Sequence, residues 1–479
     1  MPNTRRCRID CLLTTKTPLH VGSGASTTHP KIEDGNKLID ITEVVRDIND
    51  RAYIPGASIK GNIRAWLEGR GLDADIIEEL FGSKDMEKVD SNGNKIAVGG
   101  KAVFWNAYAL NGQDISYDTP YWRLGRLTDV TVSVAIDRNK RTAVEEKLFY
   151  QEFVPPEVAF EMTIIIQNAC EDEIALLLYA LKHGFSDENP ITIGASTSNG
   201  WGRFNCQIKD ISKMDESDVE KWLKSDSSTM SHDAFTKLKE EEKQKLMEKV
   251  DKITSDISDD LLELRLRLSF EGSFLVNDPG QVVKKETPDH IPRKNHAGKI
   301  VLPAESFRGA FRSQAERIIR TLGGEACGPG NPCKALDKPC TACKIFGATG
   351  RKSLVSFTDF VQCNEEETKI QEFVAIDRFT GGGAEKLKFN AKSVLNPVFE
   401  GTITIDKRKI KQWMIGLLAL TFRDLMEGDI TFGFGASKGY GKCKACITNI
   451  SLTDKKEFIN LCINEFRKKM VRKKEASRA

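Results

Sequence analysis

Three separated blocks of this chain recur in one order. Tyr53-Ile54-Pro55-Gly56-Ala57-Ser58-Ile59-Lys60-Gly61 returns as Val301-Leu302-Pro303-Ala304-Glu305-Ser306-Phe307-Arg308-Gly309. Ala135-Ile136-Asp137-Arg138 returns as Ala375-Ile376-Asp377-Arg378, and Gly194 to Gly202 returns as Gly433 to Gly441. The blocks are displaced by 248, 240 and 239 positions, far too long a period for a solenoid repeat, so the chain is a duplicated domain. A chain of 479 residues exceeds what one hydrophobic core usually organises, and two domains of roughly 200 residues each fit the repeat. The expected division is a first domain over 1–212, a charged helical linker or insertion over 213–260, a second domain over 261–455 and a basic tail over 456–479. Whatever one copy binds, two copies can bind at a fixed spacing along an extended partner.

Lys and Arg number 71 against 69 Asp and Glu, a net charge of +2. Any nucleic-acid contact must therefore come from local patches, not from the mean field. The N-terminal Met1-Pro2-Asn3-Thr4-Arg5-Arg6 lacks the apolar run of a signal peptide, and no stretch approaches the about 20 apolar residues of a membrane span. The expectation is a cytoplasmic protein with no membrane association. In a reducing compartment its 12 cysteines point to metal where they cluster, not to disulfides.

Each copy reads strand, helix, hairpin region, strand, helix, glycine-rich loop, strand, the order of an α+β sandwich of ferredoxin type. Leu262 to Phe270 alternates with period two, placing Arg265 and Arg267 on one face. Helices are expected over Ser58 to Glu68 and Ser306 to Leu322, with the serine as N-cap, and again over Glu171 to His183 and Arg408 to Met426. Strands are expected over Val158 to Ile166 and Val398 to Ile405. The basic run Arg467 to Lys474 reads as a solvated tail or a nucleic-acid arm.

Lys60 and Arg64 in the first copy, and Arg308 and Arg312 in the second, lie four apart on a helix that follows the Pro motif. That spacing puts each pair on one face near a helix N-terminus, which suits phosphate. The glycine loops, with Gly200 and Gly202 matched by Gly439 and Gly441, offer backbone N–H groups that could cradle phosphates; the bland alternative is a tight strand connection. Trp201 and Tyr440 recur inside them, either to stack on a base or to anchor the core. Cys327, Cys333, Cys340 and Cys343 sit in a segment of mostly small and polar residues with little to bury, so a structural zinc is the expected holder. Cys443 and Cys446 have similar spacing but lie on an apparent strand, where positions three apart face opposite ways.

With these blocks in place the chain resembles the RAMP superfamily of CRISPR effector proteins, specifically two fused backbone subunits of the type III complexes of antiviral defence. The matching residues are Leu19-His20-Val21-Gly22-Ser23-Gly24, the Pro motifs at Tyr53 to Gly61 and Val301 to Gly309, Phe81-Gly82 and Phe346-Gly347, Ala135 to Arg138 and Ala375 to Arg378, and both glycine loops. The cysteine cluster is similar to that of zinc-bearing fused type III proteins of III-D-like or III-E-like arrangement. The resemblance implies modified ferredoxin-like (RRM-like) cores, each with a projecting thumb hairpin, stacked along guide RNA (crRNA) beside other type III subunits. Arg138 and Arg378 would belong to the thumbs and touch RNA.

Family members that cut target RNA use an aspartate upstream of the Pro motif. That position falls to Asp40 and Asp289, with Asp34 and Asp278 as rivals. A carboxylate is a hard ligand for Mg²⁺, which could stabilise charge as the ribose 2′-OH attacks. The implied function is a guide-RNA-binding backbone subunit and endoribonuclease acting on paired target RNA. The alternatives are a non-catalytic scaffold of the same complex, or a guide-processing nuclease using His20, His29 or His290.

Overall fold

A computed structural model of the chain describes residues 4–30, 38–83, 88–89, 95–96, 98–117, 119, 121–137, 142–186, 190–224, 235–254, 261–278, 288–328, 333, 338–450 and 455–476. Alternation in Leu261–Phe270 buries Leu264, Leu266, Leu268 and Phe270 and leaves Arg265 and Arg267 in solvent. This strand lies between Val398–Asp406 and Cys443–Ile447, antiparallel to both. Thr4–Thr15 holds the same central place in the first copy, between Ala159–Ala169 and Phe204–Met214. Each sheet ends in the two-residue strand that carries its Pro motif: Tyr53–Ile54 beside Ala107–Ala109, and Val301–Leu302 beside Phe360–Gln362.

The helices are α1 (Gly56–Gly69), α2 (Ala74–Phe81), α3 (Glu171–His183), α4 (Glu216–Lys224), α5 (Glu240–Thr254), α6 (Ala304–Thr321), α7 (Thr341–Phe346), α8 (Gln412–Glu427) and α9 (Lys456–Ala476). Ile59, Ile63 and Leu67 in α1, and Phe307, Phe311, Ala315 and Ile319 in α6, repeat every fourth position and are buried. Each copy has its own main apolar cluster. One holds Ile9, Ile63, Phe160 and Leu177; the other holds Leu266, Phe311, Phe399 and Leu417.

A second hairpin rises from each copy as a thumb, Asp129–Asp137 with Thr142–Phe153 and Thr368–Ile376 with Gly383–Leu395. Leu38–Val44 runs parallel to the first thumb's second strand, and His290 makes a parallel bridge to Ala391 in the second.

The structure refines three expectations. The Pro-motif helices start at Gly56 and Ala304, two residues before the serines, and the caps are Pro55 and Pro303, which make no side-chain cap bond. The first N–H of each helix is met from a distance instead: Asn106 Oδ1 accepts from Gly56 N at 2.9 Å, and Asp359 Oδ1 accepts from Ala304 N at 2.8 Å. The acidic and basic segment between the copies is built into the first one. Its α5 lays Leu246 and Val250 in the first core and pairs Lys249 with Glu171 and Asp172 of α3 at 3.0 and 2.8 Å. The basic run near the C-terminus lies in α9, which buries Cys462, Phe466 and Met470 and packs on α8.

Candidate nucleic-acid interface

The Pro-motif helices present their cations less freely than spacing predicts. Arg64 Nε is 2.8 Å from Glu68 and Arg312 Nε is 2.8 Å from Glu316, so in both copies the second cation is matched by a glutamate one turn on. Lys60 Nζ donates to Ala102 O at 3.2 Å, and Arg308 Nη2 donates to Phe346 O at 2.5 Å. Burial, with Arg64 close by, holds the Lys60 ammonium below its usual range.

The glycine loops also correct expectation. Gly200 N donates to Thr197 O and Gly439 N to Ala436 O within the loops, while Gly202 N donates to Pro18 O and Gly441 N to Ser273 O outside them, so these four amides are engaged within the protein instead of facing phosphate. All four glycines have φ between 75° and 82°, which a side chain would strain. At Gly202 and Gly441 a Cβ would strike the carbonyl of Ile193 or Phe432. Trp201 and Tyr440 are core anchors: Trp201 packs on Phe153 with ring centroids 5.5 Å apart, and Tyr440 donates its hydroxyl to Gln371 at 2.7 Å.

A cleft between the copies was not legible in the sequence. The first copy's Gly194 to Ser198 loop faces Arg308, Arg312, Phe346 to Ala348 and Gly350 to Ser353 of the second across a cavity of about 580 Å³. Arg308, Arg312, Arg351 and Lys352 line it with Ser196, Thr197, Ser198 and Ser353, and among the described residues no carboxylate lines it. Hydroxyls opposite guanidinium and ammonium groups make a polyanion site. Recurrence could mark the loop and the helix, but not that one copy's loop meets the other's helix.

Cys327, Cys333, Cys340 and Cys343 bring their sulfurs within 4.8 Å of one another, beside the floor of this cleft through Phe346 and Gly347. Four thiols at that spacing can hold a zinc ion. Burial pushes the Cys340 thiol up, but hydrogen bonds from Cys327 and Cys343 outweigh it and leave the group at about 7. Arg312 Nη2 is 3.2 Å from Cys343 Sγ and 3.8 Å from Cys327 Sγ, so this guanidinium serves the cysteine cluster as much as the cleft. Cys443 is buried and Cys446 exposed, on opposite faces as their strand requires.

Asp40 and Asp289 are both exposed and both lie against the thumb's second strand. Asp40 sits on Leu38–Val44 and accepts from Thr28 Oγ1 at 2.9 Å. Asp289 Oδ2 accepts from Asn390 N at 2.8 Å, while Asn390 Oδ1 accepts from Asp289 N at 2.8 Å. They are not counterparts. Val45 N donates to Val21 O as Arg293 N donates to Val276 O, and Tyr53 N to Val45 O as Val301 N to Arg293 O. That register aligns Asp289 with Ile41 and Asp40 with Pro288, one position off, and a shift of one turns a side chain to the other face. Among the described residues, neither aspartate belongs to a group of three or more metal-ligating side chains. Asp34 and Arg138 lie outside the described residues; Asp278 donates its backbone N–H to Ile291 O.

Arg378 is exposed at the tip of the second thumb, in a turn closed by Asp377, whose Oδ1 accepts from Phe379 N at 2.7 Å and Thr380 N at 3.1 Å. The histidines are separately engaged. His20 is buried with Nδ1 2.6 Å from Glu152 O, His29 lies 4.0 Å from Glu43, and His290 packs against Phe389 and Phe434. Burial lowers the pKa of both His20 and His290.

Among the described residues no helix is long and apolar enough to cross a membrane. A search of curated proteins finds no match to the chain. The family model of the RAMP superfamily matches twice, over residues 12–205 and 235–444, one match for each copy of the fold described above. The chain thus belongs to the RAMP superfamily as a tandem pair of its domains, a CRISPR-associated RNA-binding subunit.

Proposed function

We propose that the chain is a double backbone subunit of a type III CRISPR ribonucleoprotein, carrying guide RNA across both copies and cleaving paired target RNA. The observation that carries the guide-binding part is the cleft between copies, where four cations and four hydroxyl side chains surround a space that no carboxylate lines among the described residues. An RNA strand crossing it would be held by its phosphates whatever its sequence. The tandem arrangement carries that strand from one copy to the other.

Cleavage is assigned to Asp40 and Asp289, each exposed beside the base of its thumb. Among the described residues neither belongs to a cluster of metal-ligating side chains, so Mg²⁺ would be shared between one carboxylate and RNA phosphates, as that ion tolerates. The ion's contribution is to stabilise charge at the scissile phosphate; the chain's is to hold the carboxylate and orient the strand. A specific observation favours the scaffold reading as the second: the two carboxylates already accept hydrogen bonds from Thr28 and Asn390. The complex, purified with guide RNA and given complementary target with Mg²⁺, decides between them. Cleavage that Asp289→Ala or Asp40→Ala removes, with guide retention unchanged, supports the enzyme; uncut target, or a cutting pattern that both variants leave intact, supports the scaffold.

A further inference from the structure

The second copy builds its wall of the cleft directly on the cysteine cluster. Cys340 caps α7 and Cys343 lies within it, and the chain that leaves α7 supplies Gly347, Ala348, Gly350, Arg351, Lys352 and Ser353 to the cleft. That stretch is fastened to α7 and to itself. Ser353 donates its hydroxyl to Ile345 O at 3.2 Å, Leu354 N donates to the same oxygen at 2.8 Å, and Ala348 and Arg351 exchange backbone hydrogen bonds at 3.1 and 2.8 Å. The Pro-motif helix leans on the same place: Arg308 donates to Phe346 O at 2.5 Å and Arg312 to Gly347 O at 3.3 Å. Each of the four cations that line the cleft is thus either carried by the segment after Cys343 or hydrogen-bonded to it.

The helix at the root of this wall has few means of its own to hold it. At 6 residues α7 is well short of the about 12–15 at which an isolated helix becomes marginal. Its cap is a sulfur, Cys340 Sγ accepting from Cys343 N at 3.4 Å, and thiol sulfur is a weak acceptor. The first copy has the counterpart helix, α2, which ends in the same Phe-Gly pair but contains no cysteine. There Asp73 caps two amides at 2.9 and 3.3 Å, and Lys101 ties Glu79 of α2 to Glu173 of α3 at 2.6 Å each. The fold therefore does not require metal at this place. Ala342, Ile345 and Phe346 are buried in the second core and seat α7 by themselves. What distinguishes the second copy is that its helix roots the cleft wall, whereas the first copy contributes Gly194 to Ser198 instead.

We propose that the cysteine cluster, with zinc bound, positions the cations of the cleft, so that zinc and RNA bind this chain cooperatively. The inference rests on the reading of the cleft as an RNA path. Cys340 and Cys343 fix the start of α7, which sets the carbonyls of Phe346 and Gly347 and the turn that carries Arg351 and Lys352. Side chains already held in place lose less freedom when phosphate arrives. The charge of the cluster acts in the opposite sense, since four thiolates on one zinc ion leave a net negative charge. Arg312 offsets it: its Nη2 lies 3.2 Å from Cys343 Sγ and 3.8 Å from Cys327 Sγ, and the same residue lines the cleft. A cation therefore meets that charge where RNA would pass.

The test uses the full chain, zinc-loaded and zinc-stripped, with a fluorescently labelled single-stranded RNA as the probe. Zinc removal should weaken RNA binding by about tenfold and lower the salt slope by about one or more, and zinc added back should restore both. Linkage requires that saturating RNA raise the affinity for zinc by the same factor, which competition with a chromophoric chelator reads and which a zinc site independent of the cleft would not show. Arg351→Ala should weaken RNA binding of the zinc-loaded chain, and zinc removal should then cost that variant less than it costs wild type, because one of the positioned cations is gone. Zinc and RNA affinities that ignore each other, or losses from zinc removal and Arg351→Ala that simply add, would overturn the proposal. So would loss of amide protection over Val398–Asp406 on zinc removal, since zinc would then serve the whole second core. A zinc-loaded chain that binds no RNA overturns the RNA reading of the cleft itself, whereas RNA binding indifferent to zinc overturns the coupling alone.

Discussion

Arg308 and Arg312 share a helix face but answer to different neighbours. Arg308 reaches the cleft wall through the Phe346 carbonyl, whereas Arg312 lies between a fully buried Glu316 and the sulfurs of Cys343 and Cys327. Arg308→Ala should weaken RNA binding alike for all guide sequences and reduce the salt slope by about one; an unchanged slope would remove it from the phosphate path. Arg312→Ala should instead cost on the order of 2 kcal/mol or more of stability, since it removes the 2.8 Å ion pair of the fully buried Glu316, and chemical denaturation reads this directly. Asp359 offers a pH test. Burial raises its carboxyl above the ordinary aspartate range, against the hydrogen bond from Ala304 and the charge of Arg293. A raised folded value means that its contribution to stability is full below the unfolded pKa and is lost as pH rises through the folded one. Asp359→Asn keeps the helix-capping oxygen, as Asn106 does in the first copy. Its urea midpoint should equal or exceed wild type at neutral pH, and the fall in stability above the ordinary aspartate range should be shallower. Asp359→Ala loses the cap and about 0.5–2 kcal/mol.

At the level of elements, α6 and α7 (Ala304–Thr321 and Thr341–Phe346) are joined by the four cysteines. One zinc per chain should appear by elemental analysis of metal-replete protein. Cys340→Ser should at least halve it and speed amide exchange over α7 while the first copy's core strands keep their protection; zinc content unchanged by that variant would count against the cluster. This cluster was readable because thiol spacing in a segment poor in apolar residues leaves few other ways to hold the chain. Strands such as Val398–Asp406 and Leu261–Phe270 were equally plain, since alternation is a local signal. Helix starts were not, because the groups that meet their first amides, Asn106 and Asp359, come from 50 and 55 residues away. In α9 the surplus of lysine and arginine concealed Cys462, Phe466 and Met470, which recur every fourth position and bind the helix to the second core. The glycine loops were located with two readings open, a phosphate cradle or a tight strand connection; the amides of Gly200, Gly202, Gly439 and Gly441 meet carbonyls of the chain itself, and periodicity cannot report which carbonyl an amide will meet.

Across the whole molecule, the cleft depends on how the copies are seated, and one pair of glycines separates that seating from local backbone strain. Gly200 and Gly439 are counterparts with φ of 79° and 82°, so alanine at either incurs the same left-handed penalty, about 1–2 kcal/mol. Their surroundings differ. A Cβ at Gly200 would lie 2.7 Å from the Phe357 carbonyl of the other copy, whereas at Gly439 it would meet nothing within 4 Å. Gly200→Ala must push the first copy's loop off the second and widen the space between Ser196 to Ser198 and Arg308. A phosphate held from both sides would then be held from one. RNA affinity should fall by roughly tenfold, equivalent to about 1.4 kcal/mol, although no charge has changed, and amide exchange should rise at Phe357 and Thr358. Gly439→Ala should show the local strain in its thermal midpoint with RNA affinity close to wild type. Equal losses of affinity in the two variants would mean that each loop acts within its own copy, and that the cleft between copies does not carry the RNA.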